Sequence, residues 1–559
     1  MSHTVTNEVI ALPESSNQKS SLSDTNPSGH RSTQRASALE GPGTVEKPSA
    51  DSSTEVFAVY GVEPEIQAYA MAKYSRSALS MKESLREISS QKAEKFLNTF
   101  YFQYGHRSIA DLAHIALAVE RLSLLAAIEL VDEPRWDGQE RSTRYQDFKK
   151  SGYYIPDFGT DTEARKLYCE TLDFLFAEYE ALSAHMANYL MSITPKPAEM
   201  KQEAYERTLK ARAFDITRYL LPLATNTSLG EIVNARTLET QVAHLLSDSH
   251  NEVRVLGESL KKAATSAAYN VNAEPLKKLV EEIRAVSPEL GARAEQELLH
   301  AVRVAPTLVK YADPNPYEME TRRELRQAAR ELMKNEQLAP SKAIVDLLDE
   351  EPLEVEIATT LLYEHCHFSY RQLRQALQVS GERYRREIID LGLRHRGKYD
   401  EVSRAFRAGQ QFRFDILMDT GGFRDMHRHR RCIQVMQGFT TRHGYEMLLD
   451  VEDAGMRLRF EAAMRRAQNM VEKLAARQSP EAEENSQYAI PLAYRKRALF
   501  KMDFAEAVYI SELRTTPVGH VSYRNVAYAM YEAVARKYPA LAKYFRVHDV
   551  TAPVDLLQR

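Results

Sequence analysis

Four basic residues in a row, Arg428-His429-Arg430-Arg431, sit at the centre of the stretch FRFDILMDTGGFRDMHRHRRCIQVMQGFTTRHGYEM, Phe412 to Met447. A guanidinium offers five donors in a planar fork that fits phosphate or carboxylate oxygens two at a time, so the row suits a nucleotide or a flavin pyrophosphate. The plain alternative is a solvated helix face or a general nucleic-acid patch. Apolar Phe412, Phe414, Ile416 and Met418 alternate with Arg413, Asp415, Leu417 and Asp419, close to a period-2 strand. Gly421-Gly422 then interrupts the pattern, and Phe423 to Gln437 reads as a helix holding the basic cluster. On that helix Arg424, Arg428 and Arg431 share one face, with Phe423, Met426, Arg430, Ile433 and Met436 on or near another. The apolar positions favour a partly buried helix, where like charges are costly without an anionic partner.

The elements that must hold this cluster belong to a chain of 559 residues, enough for two to four domains, and 43% hydrophobic residues supply sizeable cores. A formal net charge of -4 gives no global attraction to nucleic acid, so anion binding has to be local. Cys169, Cys366 and Cys432 share no metal-ligand spacing, which points to a reducing compartment, read here as the cytoplasm, without disulfides or a metal site. No apolar run reaches a membrane span. Residues 1–52, rich in Ser, Thr, Asn, Pro and Gly, read as a disordered tail with neither a secretion signal nor a transit peptide. Helical periodicity dominates at 63–100, 160–215, 238–270, 274–302, 317–335, 370–400, 453–478 and 525–545, so the class is helix-rich α+β. No glycine-rich loop of the Rossmann or P-loop type occurs.

The chain repeats itself. HRSIAD at His106 is echoed by HFSYRQ at His367, Pro222-Leu223-Ala224 by Pro491-Leu492-Ala493, Arg236 by Arg514 and Arg254 by Arg524. The offsets of 261, 269, 278 and 270 residues, in unbroken order, indicate a tandem duplication. The halves are placed at 53–300 and 340–559, joined by a connecting segment at 301–339 that contains ADPNPYEME.

Both halves resemble the flavin-dependent thymidylate synthases, whose signature is Arg-His-Arg, seven residues, then Ser and shortly Arg. Arg428-His429-Arg430 supplies the first part in the second half, and Ser142-x-Arg144-Tyr145 supplies the other part in the first. His106 and Ser108 resemble the family's flavin-contacting His-x-Ser/Thr, Asn234-Ala235-Arg236 its Asn-Ala-Arg, and Asp248-Ser249-His250 with Arg254 its last helix. Neither half is complete. Gly438 stands where the signature serine belongs, and Asp132-Glu133-Pro134 where the first half should carry Arg-His-Arg. Asp425 occupies a place where the family commonly has Gln beside the pyrimidine, and Arg497, six residues after Pro491, stands where the family keeps a phosphate-binding arginine; the first half has Ser228 there.

The resemblance implies an α+β fold of two homologous halves, each with a small antiparallel sheet. It also implies reductive methylation of dUMP to dTMP with FAD, methylenetetrahydrofolate and NADPH. Because the family builds its sites between the subunits of a homotetramer, the sharper expectation is one composite site. Ser142 and Arg144 would meet Arg428, His429 and Arg430, the mirror-image site would have decayed, and a homodimer would rebuild a pseudo-tetramer. Arg424, Arg428, Arg144, Arg497, Arg254 and Arg524 are the expected nucleotide contacts, with Asp425 beside the base. His106, Ser108, His429, Arg430, Asn234 and Arg236 are the expected flavin contacts. His429, between arginines, should favour its neutral form.

Simpler roles stand beside these. Ser108 with Asp111 is also a helix cap, Asn234 and Arg236 a turn and a surface arginine, Arg254 and Arg524 solvated helix residues, and Cys432 a small core residue rather than a nucleophile. A degenerate flavin- or nucleotide-binding homologue with a structural or regulatory role is the alternative to an enzyme, and nucleic acid and membranes are not expected partners.

Overall fold

The computed structural model describes residues 57, 59, 61–73, 81–87, 107–341, 343–397 and 400–557. The expected tail at 1–52 and His106 lie outside them. From Gly61 onward the chain forms one compact unit.

Three strands, β1 (His114–Ser123), β2 (Asp137–Glu140) and β3 (Asn226–Asn234), make an antiparallel sheet in the order β1-β3-β2. A second antiparallel sheet contains β4 (Val345–Leu347), β5 (Phe412–Asp419), β6 (Ile433–Met436) and β7 (Arg495–Met502), in the order β4-β5-β7-β6. The triplet β5-β7-β6 repeats β1-β3-β2, and helices make up most of the rest, as the α+β reading requires. In both halves the first strand runs into an N-cap that starts a short helix: Ser123 caps Leu124–Val131 and Asp419 caps Thr420–Met426, 296 residues later. Ser123 pairs with the carboxylate of Glu252, and Asp419 accepts from Ser522, so acid and hydroxyl have exchanged sides.

The halves meet on the repeated Pro-Leu-Ala segments. Pro222 lies opposite Pro491. Leu223 N donates to Ile490 O and Leu492 N to Leu221 O, both at 2.9 Å, while Ala224 N donates to Tyr488 O at 2.7 Å and Ala493 N to Tyr219 O at 3.1 Å. Every bond has its twin with the halves exchanged, the pattern of an isologous interface. One apolar core runs across the contact, where the long helices Thr162–Ile193 and Arg457–Ala475 pack together through residues such as Leu175, Leu182, Met464 and Val471.

β5 has the predicted bounds, and all eight of its residues, polar and apolar alike, are buried. Its polar side chains are matched instead of solvated. Arg413 pairs with Glu356 at 3.1 Å, Lys501 reaches the same carboxylate at 3.0 Å, and Asp415 accepts from Arg497 at 2.9 Å and from Tyr363 at 2.7 Å.

The expected helix from Phe423 to Gln437 stops at Met426, and Ile433–Met436 pairs instead with β7. Continuing it would stack Arg424, Arg428 and Arg431 as like charges on adjacent turns. The turn that replaces it is held by Gln434, whose Nε2 donates to His427 O at 3.3 Å and His429 O at 2.9 Å. The strand does end before Gly421-Gly422, but both glycines lie in the helix that follows, where a Cβ on Gly422 would stand 2.6 Å from Ser522 Oγ. Glycine here lets the helix Val521–Lys537 approach.

Between the halves runs the connecting helix Pro316–Met333. Its Leu325, Ala328, Ala329 and Met333 pack in a second core with Tyr363, Leu373 and Leu377. On its other side Glu318 bonds His244 at 2.9 Å and Arg322 Nη1 donates to Ser247 O at 2.7 Å. Burial alone would lower the His244 pKa; the bond from Glu318 outweighs it and raises it to about 9. The pair therefore stabilises the fold fully below about pH 6.5, the value of an unfolded histidine, and is lost as the pH rises through about 9. Glu318→Gln is expected to lower the melting temperature at pH 6, with the difference from wild type fading by about pH 10 in a calorimetric series.

Candidate functional site

A cavity of about 320 Å³ opens where the first half's loop after β2 faces the turn after the helix Thr420–Met426. Ser142 and Arg144 line it from one side, and Arg424, Asp425, Arg428 and Arg430 from the other, so the two fragments of the signature do meet, within a single chain. Arg424 Nη1 donates to Thr143 Oγ1 at 3.2 Å and its Nη2 to Glu140, tying loop to helix, while its buried Nε has no partner. Arg430 reaches Asp137 at 3.0 Å and lies 5.6 Å over the ring of Trp136. Arg428 is exposed and has no hydrogen bond or ion pair to a described residue. A cation on the rim without a partner is the group most ready to take an anion.

Beneath them Asp215 organises the floor. It grips Arg144 Nε at 2.9 Å and Nη2 at 3.0 Å and lies 3.4 Å from Arg218 Nε and 3.9 Å from His520. Arg144 Nη1 also donates to Tyr523 Oη at 3.0 Å, a residue of the other half. Burial would raise the Asp215 pKa, but His520, Arg218 and Arg144 together hold it down at about 2. Burial would likewise lower that of Arg144, and Asp215 reverses the sign.

Arg218 was missed in the sequence, although it stands four residues before the Pro222 of the repeat. It is 2% exposed and lines the cavity; its Nη2 lies 3.6 Å from Asp425, and neither Nε nor Nη2 completes a hydrogen bond. His427, one residue before the cluster, was missed as well. It stacks on Phe423, shares Nδ1 with Gln434 Oε1 at 2.8 Å and turns Nε2 toward Asp132, 3.4 Å away, without completing a hydrogen bond.

Val131, His427 and Arg430 also border a larger cavity of about 430 Å³, walled by Arg135, Arg236, Gln241, Arg404, Arg431 and the connecting helix. Arg431 thus turns away from Arg424 and Arg428, contrary to the shared face expected of a continuous helix. Thr237 Oγ1, Gln241 Oε1 and Thr321 Oγ1, all buried, lack partners at this second cavity.

The remaining expected residues are placed elsewhere. His429 is turned away, accepting from Arg514 Nε at 2.7 Å and lying 3.6 Å from Glu506; it stays neutral chiefly because it is buried. Arg497 lies under the second sheet with Asp415. Arg254 donates to the carbonyls of Asp248 and Ser249 and reaches Glu481 at 3.2 Å; Arg524 Nε donates to Thr515 O. Asn234 caps the helix Ala235–Leu246, and Arg236 pairs with Asp111 at 3.3 Å while bordering the larger cavity. Ser108 is exposed inside a 3₁₀ helix, Arg107–Leu112, and not ahead of it as a cap would be. Cys432 bonds the His429 carbonyl, and burial pushes its thiol up to about 12, unsuited to a nucleophile. Among the described residues there is no metal-holding cluster, and no helix is long and apolar enough to cross a membrane.

The family model described as thymidylate synthase complementing protein matches this chain twice, over residues 59–268 and 353–540. The chain belongs to this family. Its relatives include a UPF0159 protein of Chlamydia muridarum, 28% identical over 88% of this chain and 92% of that one. The flavin-dependent thymidylate synthase of Clostridium tetani is 24% identical over 38% of this chain and 87% of its own. Among solved structures, a Helicobacter pylori flavin-dependent thymidylate synthase complexed with FAD and dUMP aligns at a TM-score of 0.26 and 17% identity, covering 36% of this chain and 89% of that one.

Within this chain the two halves hold very different residues at the corresponding positions. At the constant spacing of 296 residues, Ile128, Glu129 and Asp132 replace Arg424, Asp425 and Arg428, and Gly438 and Thr440 replace Ser142 and Arg144. Asp132 is already neutralised by Arg404 at 2.7 Å. A buried Lys496 lies 3.7 Å over Phe439 near Glu129, its amine pulled down to about 8 by burial.

Because the folded value of Asp215 lies below the unfolded one near 3.9, it stabilises at neutral pH and loses that effect as the pH falls from about 4 through about 2. Asp215→Asn is expected to cost about 3 kcal/mol at pH 7. In denaturant titrations the gap to wild type should narrow below about pH 4.

Proposed function

We propose that this chain is an FAD-dependent thymidylate synthase or a close relative that binds dUMP in the cavity between its halves, in the cytoplasm, as a homodimer of halves 53–300 and 340–559. The observation that carries the reading is the convergence of Ser142 and Arg144 with Arg424, Asp425, Arg428 and Arg430 around one cavity. Arg218, Arg424 and Arg428 supply the phosphate-binding donors that lack partners. Asp425, which only accepts hydrogen bonds as a carboxylate, suits the ring N–H of uracil. The buried arginines are fixed before substrate arrives, so charge developing on the ring meets donors that need no reorganisation.

The larger cavity fits the flavin. Unpartnered Thr237 Oγ1 and Gln241 Oε1 offer hydrogen bonds to a heterocycle, Leu130, Val131 and Leu245 offer apolar contact, and exposed Arg431, with no hydrogen bond to a described residue, is free to take a phosphate. When bound, reduced FAD supplies the hydride that turns the methylene carbon from methylenetetrahydrofolate into the methyl group of dTMP, and NADPH restores it. Residues of this chain bind, orient and exclude water; Val131, His427 and Arg430, shared by the two cavities, set nucleotide and flavin side by side. A degenerate, non-catalytic homologue is the second reading, favoured by Arg144, whose donors are largely taken by Asp215, Tyr523 and the Val518 carbonyl.

Trp136 is the chain's single tryptophan and lines the nucleotide cavity, so its fluorescence reports binding. Titration with dUMP is expected to give one site per chain, with Arg428→Ala weakening binding by roughly 10- to 100-fold at unchanged stability and Arg135→Ala leaving it nearly intact. Two sites per chain would sink the composite reading, and no dUMP-dependent oxidation of reduced flavin with methylenetetrahydrofolate would leave the non-catalytic one.

A further inference from the structure

The connecting helix Pro316–Met333 lies outside both stretches that match the family model, 59–268 and 353–540, yet Tyr317, Glu318, Thr321, Arg322 and Leu325 form a wall of the larger cavity. Resting on the flavin reading above, we infer that this helix completes the cofactor chamber and that the Thr321 hydroxyl contacts the polar edge of the flavin ring.

Thr321 is 6% exposed and its Oγ1 has no partner. From the helix Ala235–Leu246, which also borders the chamber, Thr237 and Gln241, 4% and 3% exposed, bring Oγ1 and Oε1 atoms that are equally unpartnered. Buried polar atoms are normally hydrogen-bonded, and three exceptions around one cavity mark a surface shaped for a ligand with both donors and acceptors. A helix that merely spaced the halves would seal such a cavity with apolar side chains.

The wall is also rigid. Asn315 N donates to Ser247 Oγ and Arg322 Nη1 to Ser247 O, both at 2.7 Å, on the first half. Tyr317 Oη donates to Gly392 O at 2.7 Å on the second, and the apolar face is locked into the second core. Thr321 is therefore held where it stands, and a ligand must come to it.

The test uses the full chain, FAD binding followed by flavin fluorescence and dUMP binding by Trp136 fluorescence. Thr321→Val keeps the shape and removes the hydroxyl, whereas Thr321→Ser keeps the hydroxyl. The expected result is FAD affinity about 5- to 10-fold weaker for Val and within about twofold of wild type for Ser, with dUMP binding and the melting temperature of the FAD-free protein preserved. Unchanged FAD affinity in Thr321→Val overturns this inference alone, as does equal loss of FAD and dUMP binding, which would mark a structural role. A wild-type chain that takes up no FAD overturns the flavin reading and this inference together.

Discussion

Pro222 and Pro491 face each other where the two halves meet, and the reciprocal backbone bonds beside them decide how the rest of the halves is arranged. Neither proline has an N–H to donate, so the pairing relies on the residues that follow, Leu223 and Ala224 in one half and Leu492 and Ala493 in the other. The same segments also accept from the first turn of each capped helix: Leu125 N donates to Leu223 O and Gly421 N to Leu492 O. One short contact therefore fixes the sheets, the helices after them and the loops that carry the chemistry. The cavity between Arg144 and Arg428 is a product of this pseudo-twofold arrangement.

Symmetry of the backbone has not been matched by symmetry of charge. Where the second half presents Arg428 to solvent, the first has Asp132 clasped by Arg404; where the first holds Arg144 over Asp215, the second has Thr440. The caps exchange acid and hydroxyl, Ser123 with Glu252 against Asp419 with Ser522, and keep the same geometry by opposite chemistry. Under the second sheet, Arg413, Lys501 and Arg497 are buried and matched by Glu356 and Asp415. A buried ion pair contributes less to stability than its Coulomb energy suggests, but removing one partner is costly, so such a network resists piecemeal change.

Much of this was legible in the sequence. Repeats such as PLA and the spacing of the strand before RHR are local patterns, and local patterns survive in a linear string. What could not be read depended on contacts across the fold. The basic cluster ended its helix early because Gln434 offers its amide to the carbonyls of His427 and His429, and no periodicity encodes that. Arg497 looked like a phosphate ligand until Asp415, 82 residues away, proved to own it. His429 lies in the signature but bonds Arg514, while Arg218, outside the signature fragments and the repeats, lines the cavity. A buried arginine in the run AFDITRYLL gives no sign in composition; its nearness to the repeated Pro-Leu-Ala was the available clue.

That the two signature fragments lie on one polypeptide bears on how the cavity survives dilution. A site shared between separate subunits exists only at concentrations where those subunits associate. Here Arg144 bonds Tyr523 and Arg424 bonds Thr143 inside a single chain, so the partners are always at the effective concentration their tether imposes. A cell holding few copies of this protein would still hold assembled cavities, one for each copy made.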